Sequence, residues 1–588
     1  MQSLCLEPPA ERLPLLLYCL QQKRKSSLVH PQVGFTGGHP LGWDATQGES
    51  HFPAILQPTL TVQFKDVLPD NDEARLILDA YRSERLHNTH TDADYVCPPP
   101  NFPFGSWDSN QPLSSKVEIL AQLPPRDICD GLIARYLVTT ERTHRLFHVP
   151  SLRRELAAFW REPTTASYGW LAQLFVVLAL GTATEATTTQ TTQTTQHGLL
   201  ELAEACLRKT PVIFRADLTL CRVLCLIIIA KMASSYMCTV IDSCGTLADM
   251  AVRGCMELGL HRLRPGAASI RAGAVEESLD DRIVRARLWT AAVFLKVQQA
   301  ADSGTPLLLR PCDFDAAAIG QVMQTEDDSN AFDDDQSYQT IIQALPIAID
   351  LVAAANNNTT EASTMAVCRM ASHEAAIRAL LHKVQTRPTN EEDDSNGNDK
   401  DDDNNCNGNN IHCWHQLQKP MLEIWLRRLL LVIYQTAIST SIPLSPEYPE
   451  HHQPQTSLGL SLGYARQQYL ACALAILVHQ RQLLEITDSP MARMLTSLFK
   501  QDFFIAAVGA CAVLRDGEAE EERGMEGGKK TEAGNNGDAY SLGLAAASTK
   551  ATICGALYSC IDLWARDAQK SKCNYWAYLI LQRLTEGL

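Results

Sequence analysis

Ile241-Asp242-Ser243-Cys244-Gly245-Thr246-Leu247-Ala248-Asp249-Met250-Ala251-Val252-Arg253-Gly254-Cys255-Met256-Glu257-Leu258-Gly259-Leu260-His261-Arg262 is the stretch on which the reading of the fold turns. Ile241, Cys244, Leu247, Ala248, Ala251, Cys255 and Leu258 recur at steps of three and four. That spacing puts them on one face of a helix lying half-buried on a helical core. Gly259 stands where the helix should stop, because glycine accepts the left-handed conformation that closes a helix end.

Working outward, Ser278-Leu279-Asp280-Asp281 predicts a second helix start, a serine followed three residues later by an acid. This helix reads through Arg282, Arg285, Arg287, Leu288 and Trp289 to about Ala301, before Gly304-Thr305-Pro306 and Pro311-Cys312-Asp313-Phe314-Asp315. The three arginines follow two acids, so salt bridging or solvation is expected of them rather than phosphate binding. His261 reads as a helix-end histidine, not a ligand.

The same period recurs over most of the 588 residues. Residues 1–58 form an irregular N-terminal segment punctuated by Pro and Gly, with one short helix around Leu13–Gln22. Residues 59–115 hold a helix near Asn71–Arg85 and a Pro-rich linker. Helices follow at 127–140 and from Leu152 through Trp160, then after a Thr/Gln run at 187–196 that reads as an inserted loop. Others are expected at 197–209, 216–233, 337–356, 361–385, 419–438, 461–485 and 491–514. Residues 386–412 read as an acidic disordered loop, since 391–403 alone carries eight acids and one lysine. Residues 516–540 read as a linker and 541–588 as a closing helical pair. The fold class is therefore all-α, one large multi-helix domain with inserted disordered loops.

Composition narrows the function. A net charge of −16 argues against a surface given over to nucleic acid or anionic lipid. Nineteen cysteines, an odd number on apolar helical faces such as Cys221, Cys225, Cys244 and Cys255, behave as small hydrophobes rather than a disulfide framework. The apolar runs at 170–184 and 223–230 fall short of the roughly 20 residues that a bilayer requires, and no membrane partner is expected. Leu15-Leu16-Leu17 has acids before it and Lys23-Arg24-Lys25 after it, the reverse of a signal peptide. That basic triplet is a weak candidate nuclear-import patch.

No enzyme emerges. Gly459-Leu460-Ser461-Leu462-Gly463 matches a nucleophile elbow in letters, but a loop containing His451-His452-Gln453-Pro454 precedes it where that motif needs a buried strand. Cys406, His412, Cys413 and His415 are competent zinc ligands whose spacing fits no closed site. No catalytic residue and no metal ligand is assigned.

The ordered pieces carry a resemblance. Ile119-Leu120-x-x-Leu123-Pro124-Pro125-Arg126, His148-x-Pro150-Ser151-Leu152, Glu155-x-x-x-Phe159-Trp160 and Trp170-Leu171-x-x-Leu174-Phe175 come first. Gly259-Leu260-His261-Arg262, Arg285-x-Arg287-Leu288-Trp289, Gly304-x-Pro306 and Phe332-Asp333-Asp334-Asp335 follow. Phe159, Trp160 and Trp170 singly are core fillers; in this order the set resembles the middle homology region of fungal zinc binuclear-cluster transcription factors, over roughly 116–515. On that alignment the region's first part is 116–385 and its helical continuation 413–515. The family's Tyr-His at the end of one helix is here Tyr434-Gln435, which removes any role for that histidine. The family's zinc cluster needs six cysteines in two Cys-x-x-Cys halves, whereas Cys5 and Cys19 are the only cysteines before Cys97 and the chain has no Cys-x-x-Cys.

The resemblance implies a nuclear transcription regulator, with control of biosynthetic, including secondary-metabolite, genes as the expected output. DNA would be reached through a partner regulator or through residues outside this chain, and a small-molecule effector fits the helical domain. The rivals are an adaptor that sequesters or dimerises with other regulators, and a hydrolase built on Ser461.

Overall fold

In a computed structural model, the residues described are 115–183, 190–211, 215–233, 244–262, 278–324, 335–356, 363–386, 408–440, 462–485, 490–526, 537–567 and 572–586. Helix occupies 88% of them, with no strand among them, as an all-α fold requires. The helices in chain order are α1 Lys116–Ala121, α2 Arg126–Val138, α3 Thr140–His144, α4 Val149–Arg161, α5 Tyr168–Ala183 and α6 Gln190–Leu207. Then come α7 Leu218–Ala233, α8 Cys244–Glu257, α9 Leu279–Ser303, α10 Ala316–Gln324, α11 Asp335–Asn356 and α12 Ser363–Gln385. The last are α13 Gly408–Thr440, α14 Leu462–Glu485, α15 Pro490–Leu498, α16 Lys500–Glu526, α17 Gly537–Asp567 and α18 Lys572–Thr585.

The helix signals read at Ser278 and Gly259 operate, and a further short helix, α1, has a cap that went unread in the sequence. Ser115 caps α1 through the Glu118 amide, and Glu118 returns a bond from the Ser115 amide at 3.2 Å. Ser278 caps α9 through the Asp281 amide at 3.1 Å. Gly259 (φ 73°) and Gly304 (φ 64°) take the left-handed conformation just past α8 and at the end of α9. Cys244, Leu247, Ala248, Ala251 and Cys255 are buried against α7 and α9, but Leu258 lies in the closing turn and is only half-buried.

Two mainly apolar helices are buried on every side and lie inside the bundle. One is α5, where Leu171, Ala172 and the run Leu174–Leu180 are all buried; the other is α7, buried from Leu220 to Met232. α5 packs on α2, α6 and α7, and α7 on α8 and α9. The second half of the chain winds α11, α12, α13, α14 and α16 against one another. α15 returns to α7, so late sequence closes on early sequence.

The structure corrects several boundaries. The Thr/Gln run read as a loop at 187–196 is helical backbone from Gln190 onward. Thr and Gln cost only a few tenths of a kcal/mol each in a helix, and extending an anchored helix escapes the nucleation cost. α13 begins at Gly408, well before the expected Lys419, so 408–412 leaves the acidic loop; Pro420 sits inside the helix. The helix expected at 491–514 is two, broken at Phe499, and the second runs to Glu526 into the expected linker. α17 likewise starts at Gly537. The sequence reading also overlooked that Ser337–Asn356 is long and apolar enough to cross a membrane; it is a core helix, with Ile342, Leu345, Ile349 and Val352 buried against its neighbours. The expected helices at Leu13–Gln22 and Asn71–Arg85 lie outside the described residues.

Candidate functional site

The densest buried chemistry lies at 139–148, where α2 ends and the chain turns into α4. Thr139, Thr140, Glu141, Arg142, Thr143, His144 and His148 are all buried. Glu141 accepts from the Tyr136 hydroxyl at 2.9 Å and from the Phe147 amide at 2.8 Å. Arg222, from inside α7, donates to the Leu146 carbonyl at 3.1 Å and to Gln173 Oε1 at 2.9 Å, with its guanidinium 4.6 Å from the Phe147 ring centroid. Arg287 of α9 donates to the Phe147 carbonyl. Arg145 takes φ 48° and lies 4.8 Å from the Tyr338 ring centroid. These groups spend their hydrogen bonds on holding one irregular turn between α5, α7 and α9. The arrangement is a structural keystone, with no nucleophile–base pair in it.

Burial dominates its electrostatics. It pushes the Glu141 carboxyl up to about 7, against the opposing pull of the Phe147 amide and Arg287, and it lowers His144 to about 4. Glu141 therefore holds a proton more tightly in the folded chain than in the unfolded one. Stability should fall as pH rises from the ordinary carboxylate range to about 7, by on the order of 3 kcal/mol from this group. Glu141→Gln keeps the shape and discards the titration. Urea unfolding of the variant should be less pH-dependent than wild type across that window, with the gap widest at its alkaline end.

The second feature is a cleft of about 640 Å³ between the start of α5, the end of α6 and the start of α7. Its size suits a small organic molecule. Leu218, Leu220 and Leu258 give it an apolar floor; Tyr168, Lys209 and Arg285 stand on its rim. Lys116 and Lys209 both sit over the Tyr168 ring, at 5.2 and 6.0 Å from its centroid. Asp217, an acid in the lining, caps α7 by accepting from the Leu220 amide at 2.8 Å. Arg285 donates to the Leu258 carbonyl at 2.9 Å, which ties the rim to the turn after α8.

The residues singled out in the sequence separate accordingly. Arg285 and Arg287 are structural donors, and Arg287 is buried, which corrects the expectation of a solvated or salt-bridged face. His261 faces Trp289 at 6.0 Å between ring centroids and accepts from Arg262 at 3.1 Å, a helix-end role. Phe159 lies 4.9 Å from Trp160 and 4.7 Å from Trp170; Phe159 is buried, but Trp160 and Trp170 are only half-buried, which corrects the expectation that all three fill the core. Lys23, Arg24, Lys25, Cys406 and Ser461 lie outside the described residues, while Gly463 falls in the first turn of α14 and His412, Cys413 and His415 fall in the opening turns of α13. Among the described residues no three His, Cys, Asp or Glu side chains are grouped to hold a metal ion, and Cys221, Cys225, Cys244 and Cys255 are buried free thiols. The described residues therefore do not fit a binuclear zinc cluster.

Glu141, Arg222 and the cleft went unread in the sequence. A signal existed for Arg222, a lone charge in Leu220-Cys221-Arg222-Val223-Leu224-Cys225, since a buried charge needs partners. The cleft had none, because its walls come from three separated segments.

No protein-family model matches the chain, and no solved structure does. Curated proteins do. The chain is 29% identical over 203 residues to transcription factor opdR of Penicillium oxalicum, covering 34% of this chain and 24% of that protein. It is 30% identical over 138 residues to the Fusarisetin A cluster transcription factor fsa6 of a Fusarium species, 24% of this chain and 16% of that one. With the Zn(2)-C6 fungal-type transcription factor pigI of Monascus ruber it shares 25% identity over 221 residues, 37% and 26% of the two chains. The matches thus span about a quarter or less of each relative's own length. Through its central helical region the chain is homologous to fungal Zn(2)-C6 transcription factors, a kinship that rests on this region and not on a zinc cluster.

Proposed function

We propose that this protein is a transcription regulator of the fungal type, acting in the nucleus on a set of biosynthetic genes through its helical domain. The observation that carries the reading is the homology of the central region to several named transcription factors, two of them named for metabolite clusters. The keystone turn and the apolar helices α5 and α7 support it, being built to hold shape rather than to turn over substrate. Specific base readout needs a rigid element in a groove and clustered cations, and the sequence offers an acidic balance with one basic triplet. DNA is therefore reached through a partner regulator or through residues outside this chain. The purified chain should bind DNA weakly, without sequence preference, and with an affinity that falls steeply with salt in a mobility-shift series, while chromatin capture recovers it at promoters. Tight, sequence-specific binding by the isolated chain would overturn that route.

The cleft is the effector site of this reading, and its apolar floor with a cationic rim selects a small organic acid. In a thermal-shift titration, 1-naphthoate should raise the unfolding midpoint of the wild type and 1-naphthalenemethanol should not. Lys209→Glu, at an exposed position, should abolish the response without altering the fold. An equal response from Lys209→Glu would refute the site while leaving the regulatory reading untouched.

A further inference from the structure

Apart from the keystone turn, a second buried charge cluster lies where α9 ends. Asp302, Arg428 of α13 and Asp502 of α16 are all buried, at 8%, 4% and 2% exposed. Arg428 Nε lies 3.6 Å from Asp502 Oδ1, and its terminal nitrogen donates to the Ala301 carbonyl at 3.0 Å, one residue before Asp302. Asn356 of α11 closes the same corner by donating to the Ala300 and Thr305 carbonyls at 3.0 and 3.1 Å. The end of α9, where Asp302 stands, is thereby fixed. One oxygen on each acid, Asp302 Oδ1 and Asp502 Oδ2, has no hydrogen-bond partner.

The charge count does not balance. One guanidinium faces two carboxylates in a site closed to water, and a second uncompensated negative charge there is far costlier than a retained proton. The remaining titratable neighbour is the buried Tyr469 of α14, itself pushed up by burial, while the adjacent Arg427 turns away to pair with Glu423 at 2.5 Å. Among the described residues, these are the ionisable groups at the cluster.

We propose that Asp302 and Asp502 share one proton beside Arg428, forming a carboxyl–carboxylate clamp between the end of α9 and the start of α16 that loosens when alkaline pH removes the proton. Each acid keeps one oxygen without a hydrogen-bond partner, and either can carry that proton. Like-charged acids in one site release their protons in two separated steps belonging to the pair. Burial in fact pushes Asp302 up to about 6 and Asp502 well above the ordinary carboxylate range, the latter also through its repulsion from Asp302. The folded chain then holds more protons than the unfolded one, so stability falls as pH rises from the ordinary carboxylate range through these folded values.

Urea unfolding of the full chain from about pH 6 to about pH 9 tests the clamp, since a one-unit displacement is a tenfold change in the folding ratio. Asp502→Asn supplies a permanent donor to Asp302. It should raise the folded-to-unfolded ratio at the alkaline end by roughly tenfold over wild type and flatten the slope. Asp302→Asn should flatten it too. Slopes identical to wild type in both variants, or an equal loss of stability at every pH, would overturn the proposal, because both acids would then be ionised. A readout independent of variant folding is the infrared carbonyl stretch of a buried neutral carboxylic acid. Glu141 contributes to this band in every variant, so the wild type at neutral pH should show it more strongly than Asp502→Asn; an equal band in the two, or none in the wild type, would also overturn the proposal.

Discussion

Gly181→Ala should leave little soluble, folded protein, whereas Gly131→Ala, in the helix that Gly181 crosses, should raise stability. A Cβ on Gly181 would press into the Leu132 backbone carbonyl, well inside van der Waals contact, at the crossing of α5 and α2. Backbone cannot rotate away as a flexible side chain can, so the two helices would have to separate along a face where Leu178, Leu180, Ile133 and Tyr136 are buried. Overpacking of this kind costs about 3 kcal/mol, a large part of an ordinary stability margin. Gly131 is exposed within α2 with nothing within 4 Å of an added Cβ, so alanine there gains about 1 kcal/mol of helix propensity. Paired urea titrations of the two variants measure the contrast. Equal and small effects would mean that α5 and α2 do not cross at Gly181.

The second large effect belongs to the stretch that organises the fold. Leu247→Asp should unfold the domain, because the side chain is 1% exposed and a carboxylate there would be stripped of water within the α7–α8–α9 interface. The cost is roughly 4 kcal/mol or more. Leu258→Asp should cost only about 1 kcal/mol, since Leu258 sits in the turn beyond the helix and water reaches it. Soluble yield and urea midpoints separate the two. Periodicity alone would rank them equal, because a face read at steps of three and four does not reveal at which residue the chain leaves the helix.

That difference shows what was readable. Helix type and order followed from the apolar period, and helix ends followed where a residue has a local reason to stop, as Ser278, Gly259 and Gly304 do, although the Ser115 cap of α1 went unread. Ends lacking such a residue were missed. The Thr/Gln run before His197, the approach to α13 from Gly408 and the extension of α16 to Glu526 all look like loop by composition, yet each continues an anchored helix. The keystone turn was readable only as a string of polar residues, because Glu141 draws its meaning from Arg222 and Arg287, far along the chain. The acid pair was harder still. Asp302 looks like an ordinary acid in the last turn of a helix and Asp502 like an acid in the first turn of one. Only the packing of α9 against α13, and of α13 against α16, brings them to one guanidinium.

The central claim is that this chain controls a gene set rather than a reaction. Transcript profiling of a strain lacking the gene, complemented by the wild type or by Leu247→Asp, tests it most directly. The account predicts coordinated loss or gain of transcripts from a group of biosynthetic genes, restored by the wild type and not by Leu247→Asp, with Ser461→Ala complementing as well as the wild type. Unchanged transcripts together with the accumulation of a single metabolite, uncorrected by Ser461→Ala, would contradict it and establish an enzyme in place of a regulator.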